Sequence, residues 1–471
     1  MSRVLVRGGT VVTAADTVLA EVLIDGETVL GVVSPGSQTA IDFARGADRV
    51  IEAAGCYVVP GGIDAHTHFE SVGQPEAPVL DTFETGTIAS AYGGTTTVID
   101  FAGPRPDGGQ RLQDAVAWYH DKASASCAVD YAFHVMVQDV DDQTPLDMDE
   151  LVREGVTSFK MFTAYAGRSY SPDDRILRML QQSTRNGGLI MMHAENGFAI
   201  ELLRDQAVER GDVDPVWHSL TRPPILEAEA VHRVAALAEV AGAPLYVVHV
   251  SSGEAVNELA RARDRGTTVF AETCPQYLFL DLDDLREPGF GGAKYVCSPP
   301  LRAAEQQNGL WRGLANHDLH TVATDHCPFC WAQKEIGRGD FRSIPNGIPG
   351  VEHRVEQMYE GAVLGGRLSL NRWVDVCSTA PARLFGMYPR KGTIAPGADA
   401  DIVVFDPQAP HVISAATHHM NVDYSAYEGQ LLHGKVRTVL VRGSVVVEDD
   451  AFVGRSGYGR FVRRDVGDYL L

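Results

Sequence analysis

The segment Gly61-Gly62-Ile63-Asp64-Ala65-His66-Thr67-His68 sets two histidines two residues apart, directly after the apolar run Tyr57-Val58-Val59-Pro60. In a strand, residues i and i+2 point to one face, so two imidazoles at this spacing can reach a single ion from the same side. The pair alone reads equally well as two ordinary strand histidines. Four more groups bear on the choice: Lys160 inside Ser158-Phe159-Lys160-Met161-Phe162, His193 after Leu189-Ile190-Met191-Met192, His249 near the end of Leu245–Val250, and Asp325 closing Thr321–Asp325. Singly, each reads as a satisfied polar group or a loop cap. Together, six groups at one end of five strands point to a shared mouth. Four imidazoles and a carboxylate form an N/O ligand set that suits zinc best, with manganese or cobalt as substitutes.

Lys160 is the odd member. Strands of a parallel sheet are buried on both faces and read as continuous apolar runs, so an ammonium there carries a desolvation cost unless paired or neutralised. One reading is an internal salt bridge to a carboxylate. The other is that desolvation favours a neutral amine, which can capture carbon dioxide and become an anionic carbamate able to bridge two cations. On that reading His66 and His68 hold one ion, His193 and His249 hold the other, carboxylated Lys160 bridges them, and Asp325 ligates and shuttles protons. Two divalent metals about 3.5–4 Å apart share a hydroxide and polarise a carbonyl, the chemistry for hydrolysing an unreactive amide.

The elements that must position these groups follow from the rhythm of the chain. From about residue 58, eight short apolar runs alternate with longer stretches of helical spacing. They are Val58–His68, Thr96–Phe101, Tyr131–Val137, Ser158–Phe162, Leu189–His193, Leu245–Val250, Thr268–Glu272 and Thr321–Asp325, with helices expected at Leu112–Lys122, Ile225–Ala241 and Glu254–Arg263. Eight such units are the pattern of a (β/α)8 barrel, whose chemistry sits at the C-terminal ends of the strands. An open doubly wound sheet would carry a glycine-rich phosphate turn after its first strand, and none is present. Before and after this region the texture is of short strands: Val4–Arg7, Thr10–Thr13 and Glu21–Ile24, then Asp401–Phe405, Val436–Val441 and Ser444–Glu448. The expected organisation is a β-sandwich built from residues 1–56 and 390–471 beside a barrel over 57–389.

Among 471 residues, 45% are hydrophobic and 22% charged, the composition of a soluble globular protein. A net charge of −22 disfavours nucleic acid and anionic membrane surfaces and leaves small molecules as partners. The start of the chain lacks the apolar segment of a signal peptide, no stretch reaches the roughly 20 apolar residues of a membrane span, and seven cysteines without framework spacing fit a reducing compartment, so a cytoplasmic location is expected. Cys327-Pro328-Phe329-Cys330 is a lone pair of thiols without the second pair of a structural zinc site.

The motifs "GGIDAHTHF", "TSFKMFTAY", "HAENG", "VVHVSS", "AETCPQYL", "CSPPLR", "ATDHCPF" and "IPNGIPGVE", in this order, resemble those of the dihydropyrimidinases and D-hydantoinases, cyclic amidohydrolases of the amidohydrolase superfamily. The tail segments "GTIAPGADADIVVFDP" and "NVDYSAYEG" extend the resemblance over nearly the whole chain. It implies a metal-dependent barrel beside a β-sandwich, a homotetramer, and ring opening of 5,6-dihydropyrimidines or 5-substituted hydantoins to N-carbamoyl amino acids. It also implies that Lys160 is carboxylated, that Tyr165 hydrogen-bonds the developing oxyanion, and that Ser298 and Asn346 hold the cyclic ureide through backbone groups. Plain alternatives are a packed aromatic for Tyr165 and turn residues for Ser298 and Asn346.

Departures lie in the loops, where the polar segment Ser71–Pro78, with Arg168 and Tyr170, stands in for part of an apolar wall and favours small or polar ring substituents. Dihydroorotase is disfavoured because Glu70 stands where an arginine after the histidine pair would meet a substrate carboxylate. Allantoinase and a non-catalytic dihydropyrimidinase-related scaffold are the remaining alternatives, and the six candidate ligands argue against the scaffold.

Overall fold

The computed structural model describes residues 2–71, 77–105 and 111–469. Gly62–Thr67, Thr95–Ala102, Asp130–Met136, Ser158–Phe162, Leu189–His193, Leu245–Val247, Val269–Thr273 and Thr321–Val322 are eight parallel strands, each hydrogen-bonded to the next in chain order. Every residue of the first, fourth and fifth strands is buried, as expected where helices cover a parallel sheet. The three expected helices are Leu112–Ser124, Pro224–Ala241 and Gly253–Asp264. Pro224 opens the second of these without losing a bonded N–H, and Gly242, at φ 66, ends it.

The barrel closes where the first strand meets the eighth. Thr67 bridges to His326, and the His68 N–H donates to the His326 carbonyl at 3.0 Å. Asp64 reinforces this seam. Its carboxylate accepts from the Thr324 hydroxyl at 2.7 Å, the Thr324 N–H at 3.1 Å and the His66 N–H at 3.2 Å, with the Arg354 guanidinium 3.8 Å away.

Strands from both chain ends form one nine-stranded sheet. Its hydrogen-bonded order is Ala451–Phe452, Ser444–Glu448, Lys435–Val441, Ile402–Asp406, Tyr57–Pro60, Arg3–Val12, Thr17–Asp25 and Thr28–Val33, with Arg49–Glu52 also paired to Arg3–Val12. The far edge folds back, since Thr28 bridges to Asp399 and Val29 N–H donates to Ala398 at 2.9 Å. A common core of Val6, Val22, Ile24, Ile402, Val404 and Leu440 results, giving the expected sandwich-like unit.

Two strand assignments are corrected. Val4–Arg7 and Thr10–Thr13 are one strand, Arg3–Val12, with a register shift between Val6 and Gly9. The run Val58–His68 is split: Tyr57–Pro60 belongs to the nine-stranded sheet, and only Gly62–Thr67 belongs to the barrel. Gly61 makes the crossing possible, because a Cβ there would lie 2.1 Å from the Thr96 hydroxyl oxygen.

Lys391 pins the two units together, its ammonium 2.8 Å from Asp130, 3.0 Å from Asp399 and 2.6 Å from Asp401. Leu384, Phe385 and Val462 pack against Ile63 and Tyr246 in the barrel interior. The mouth is left for polar groups.

The Asp64 seam can be tested directly. Asp64→Ala is expected to destabilise the metal-free protein by about 3–5 kcal/mol, the range for removing one partner of a buried ion pair. A denaturant midpoint equal to that of the parent chain would show that the seam does not depend on this carboxylate.

Candidate active site

The six expected ligands meet at the C-terminal mouth of the barrel. His66 lies within the first strand and His68 just past it, Lys160 is central in the fourth, and His193 ends the fifth. His249 and Asp325 lie two and three residues beyond their strands, which stop at Val247 and Val322 rather than at the expected Val250 and Asp325. Both have left-handed backbones, φ 39 for His249 and φ 52 for Asp325, as does Tyr165 at φ 65. Such conformations cost about 1–3 kcal/mol each and persist where the surroundings over-determine them.

The donor atoms form two groups. The Nε2 atoms of His66 and His68 each lie 3.1 Å from Asp325 Oδ1, and these three residues hold their ligand atoms within 4.8 Å of one another. His193 Nδ1 faces His249 Nε2 at 3.0 Å, while His249 Nδ1 is buried without a partner. Lys160 stands beside the first group with its Nζ 2.9 Å from His66 Nε2 and 4.2 Å from the centre of the Phe101 ring. Among the described residues it enters no ion pair, which removes the support for an internal salt bridge.

Burial governs the charges. It lowers the Lys160 ammonium below its ordinary value against the pull of Asp325 and Glu272. It lowers the His68 imidazole to about 4 and holds His249 well below its usual range. For Asp325 burial works upward, but His66, His68 and His249 outweigh it and keep the carboxyl well below the carboxylate range. For His66 burial and Lys160 press downward, and Asp325 with Glu272 outweigh them. The Tyr165 phenol is raised, chiefly by burial and then by Glu195, so it stays protonated and able to donate.

A cavity of about 130 Å3 gathers His68, Lys160, Tyr165, His193, His249 and Asp325, together with Ser298 and Asn346. His66 is wholly buried and lies outside this lining. A neighbouring cavity of about 240 Å3 shares Tyr165, Phe162 and Asn346 and reaches Arg168. Its remaining wall includes Val79, Tyr119, Met136 and Phe329, so the apolar wall expected to be missing is partly supplied by residues far away in sequence. Tyr170 turns its ring edge to Phe198, with centroids 4.8 Å apart, and lies outside the lining. Of the segment Ser71–Pro78, residues 72–76 lie outside the described residues.

Several buried carboxylates were not singled out by the sequence. Glu272 bonds the Nδ1 of His66, accepts the His249 N–H at 3.2 Å and accepts the Tyr246 hydroxyl at 2.8 Å. Glu195 holds His193 Nε2 at 2.8 Å. Such partners fix the tautomer and orientation of a ligand imidazole. The signal for Glu272 was present, since a carboxylate closing a buried parallel strand is as anomalous as Lys160. Cys327 and Cys330 are free thiols, and Cys327 lines the cavity.

Other clusters of donors lack this convergence. Among the described residues one other group brings three together, Asp130, Asp399 and Asp401, and the Lys391 ammonium bonds all three. A cavity of about 400 Å3 lined by His353, His411 and His418 brings no three donors within reach of one another.

The sequence model of the amidohydrolase family matches residues 57–446. The chain belongs to the amidohydrolase family. It is 56% identical over 471 residues to a D-hydantoinase of Streptomyces coelicolor, covering 100% of this chain and 99% of that one. It is 47% identical over 466 residues to a D-hydantoinase of Geobacillus stearothermophilus, covering 98% and 96%. The crystal structure of a dihydropyrimidinase from Brevibacillus agri NCHU1002 matches with a TM-score of 0.95 at 47% identity, covering 99% of each chain. An L-hydantoinase (dihydropyrimidinase) from Arthrobacter aurescens matches with a TM-score of 0.89 at 30% identity, covering 98% and 100%. The resemblance read from the motifs is borne out, and with it the enzyme class and the barrel.

The amidohydrolase family implies a binuclear metal centre, and the donors fit one: His66, His68 and Asp325 form one group of ligand atoms, His193 Nδ1 and His249 Nε2 form a second pair, and Lys160 stands beside the first group. Among the described residues, no helix of this amidohydrolase is long and apolar enough to cross a membrane.

His68 gives this site a pH signature. Its folded value of about 4 lies below the ordinary imidazole value of 6.5, so its contribution to stability is present above pH 6.5 and is lost as pH falls through 4. His66, raised, acts in the opposite sense: its contribution is present below 6.5 and is lost as pH rises through its folded value. His68→Gln is therefore expected to flatten the loss of stability of the metal-free protein between pH 6.5 and 4. Parallel stability curves for the two proteins would show that His68 titrates as a free imidazole.

Proposed function

We propose that this amidohydrolase opens the rings of cyclic ureides, 5,6-dihydropyrimidines and 5-substituted hydantoins, to give N-carbamoyl amino acids. The observation that carries the reading is the single cavity in which Lys160, His68, Asp325, His193, His249, Tyr165, Ser298 and Asn346 meet, with His66 buried behind it. The names of the relatives support the same substrate class. Two zinc ions, with manganese or cobalt as substitutes, would be held by His66, His68, Asp325, His193, His249 and a carboxylated Lys160. When bound, they supply an acidified water and polarise the scissile carbonyl.

The protein's own groups do the rest. Burial favours the neutral Lys160 amine that carboxylation requires. Backbone groups of Ser298 and Asn346 hold the ureide face. As hydroxide adds to the ring carbonyl, the Tyr165 phenol donates to the oxygen that gains charge. The ring C–N bond then breaks, and Asp325, carrying the proton taken from the attacking water, gives it to the departing nitrogen. The full reading is a cytoplasmic homotetramer, each chain a barrel over 61–389 beside a β unit from 1–60 and 390–471.

A panel of dihydrouracil, dihydrothymine, hydantoin, aryl hydantoins and allantoin, followed by ring-opening absorbance, tests the substrate class. Turnover of dihydropyrimidines or hydantoins is expected, and turnover of allantoin alone would replace the reading with allantoinase. The bridge is tested separately. Lys160→Ala is expected to keep its fold, lose most metal and activity, and regain part of the activity with added short carboxylic acids. A folded Lys160→Ala protein with two metals per chain and full turnover would refute the bridging role.

A further inference from the structure

We propose that Lys334 is a positioning residue that clamps together the two segments presenting Ser298 and Asn346 to the substrate. Lys334 ends the short helix Trp331–Lys334 in the same connection that carries Asp325, and it is wholly buried. Its ammonium donates to the carbonyls of Val296 at 3.0 Å, Pro345 at 2.7 Å and Gly347 at 2.8 Å. An ammonium has three N–H bonds, and these three acceptors use them all. Val296 lies two residues before Ser298, and Pro345 and Gly347 flank Asn346. The Gly347 N–H also donates to the Val296 carbonyl at 3.0 Å, so the segments touch once through backbone and are joined again through Lys334.

The cost of this arrangement argues for a use. A buried ammonium loses its hydration, and burial lowers this one to about 7. Among the described residues it enters no ion pair, and its acceptors are neutral carbonyls, so it is not the charged half of a structural salt bridge. What the three carbonyls gain is a fixed separation between two loops that no strand pairing holds in register. Arginine cannot replace it, because a planar fork cannot direct three donors to converging carbonyls as a tetrahedral ammonium does. Lys334 lines neither cavity of the site and bonds none of the candidate ligands, so its effect falls on where the ureide sits.

The inference rests on the ureide-holding roles given to Ser298 and Asn346, and the test separates the two. Lys334→Met keeps the apolar stem and removes the donors. With hydantoin or dihydrouracil as substrate it is expected to raise KM about ten- to a hundredfold, the scale of a small misplacement made away from the chemistry, with metal content unchanged. Amide hydrogen exchange in residues 296–298 and 345–348 is expected to quicken in the variant, while the barrel strands exchange as before. Lys334→Arg is expected to behave like Lys334→Met.

Unchanged KM and unchanged exchange in folded Lys334→Met would overturn the proposal. So would a fall in kcat and metal content at constant KM, which would place Lys334 in the metal centre. If the variants do not fold, exchange in the native holoenzyme decides: the Gly347 amide is expected to be protected, and exchange at the rate of an exposed loop would overturn the clamp. Quickened exchange in a protein whose wild type opens none of these rings would leave the clamp standing and refute the substrate reading.

Discussion

The site depends on closing the barrel between its first and last strands. No ladder pairs the six-residue first strand with the two-residue eighth, and the backbone joins them through one isolated bridge from Thr67 to His326, so backbone bonds alone hold the seam weakly. Asp64 makes up the difference by accepting from Thr324 twice and from His66 once. Both ends of this small network reach the proposed ligands, because Thr324 precedes Asp325 and His66 is one of them. A seam that slipped by one residue would turn His66 and His68 to the opposite face of the strand. Closure and ligand geometry are therefore one constraint.

Beyond the seam, the imidazoles in and beside the first donor group are held by something anionic or by the backbone. His66 takes Glu272, and His326, whose carbonyl anchors His68, has its own Nε2 2.9 Å from Asp81. On its other side His326 accepts the Gly350 N–H at 3.0 Å, which ties down the segment after Asn346. The polar mouth is a connected network in which few groups can move alone. Such networks are costly when half satisfied and rigid when complete, and rigidity at the half-ångström scale is what a two-metal site requires.

Much of this was legible in the sequence, for physical reasons that also mark its limits. Periodicity exposed the eight barrel strands and the main helices, because burial on both strand faces and on one helix face imposes a pattern locally. The six proposed ligands stood out because charged or titratable residues at the ends of buried strands break that pattern. The same logic applied to Glu272, at the end of the seventh strand, yet that carboxylate shows its role only through its contact with His66, contributed by a strand 206 residues away in sequence. The switch of sheets at Gly61 was hidden because the apolar texture is the same on both sides, and only the approach of Thr96 reveals why glycine is needed.

Loop side chains are a different problem, and the substrate wall shows why. Arg168 and Tyr170 are two residues apart in a turn rather than a strand, so their spacing carries no information about a shared face. One reaches the cavity and the other packs on Phe198. The apolar lining that local sequence could not supply comes from Val79, Tyr119, Met136 and Phe329, drawn from four separate segments that the barrel brings to the same rim. A wall assembled this way is set by the packing of whole elements. Altering the substituent preference of such a site therefore requires changing residues that are neighbours only in the folded chain, while the chemistry, fixed at the strand ends, stays where the barrel puts it.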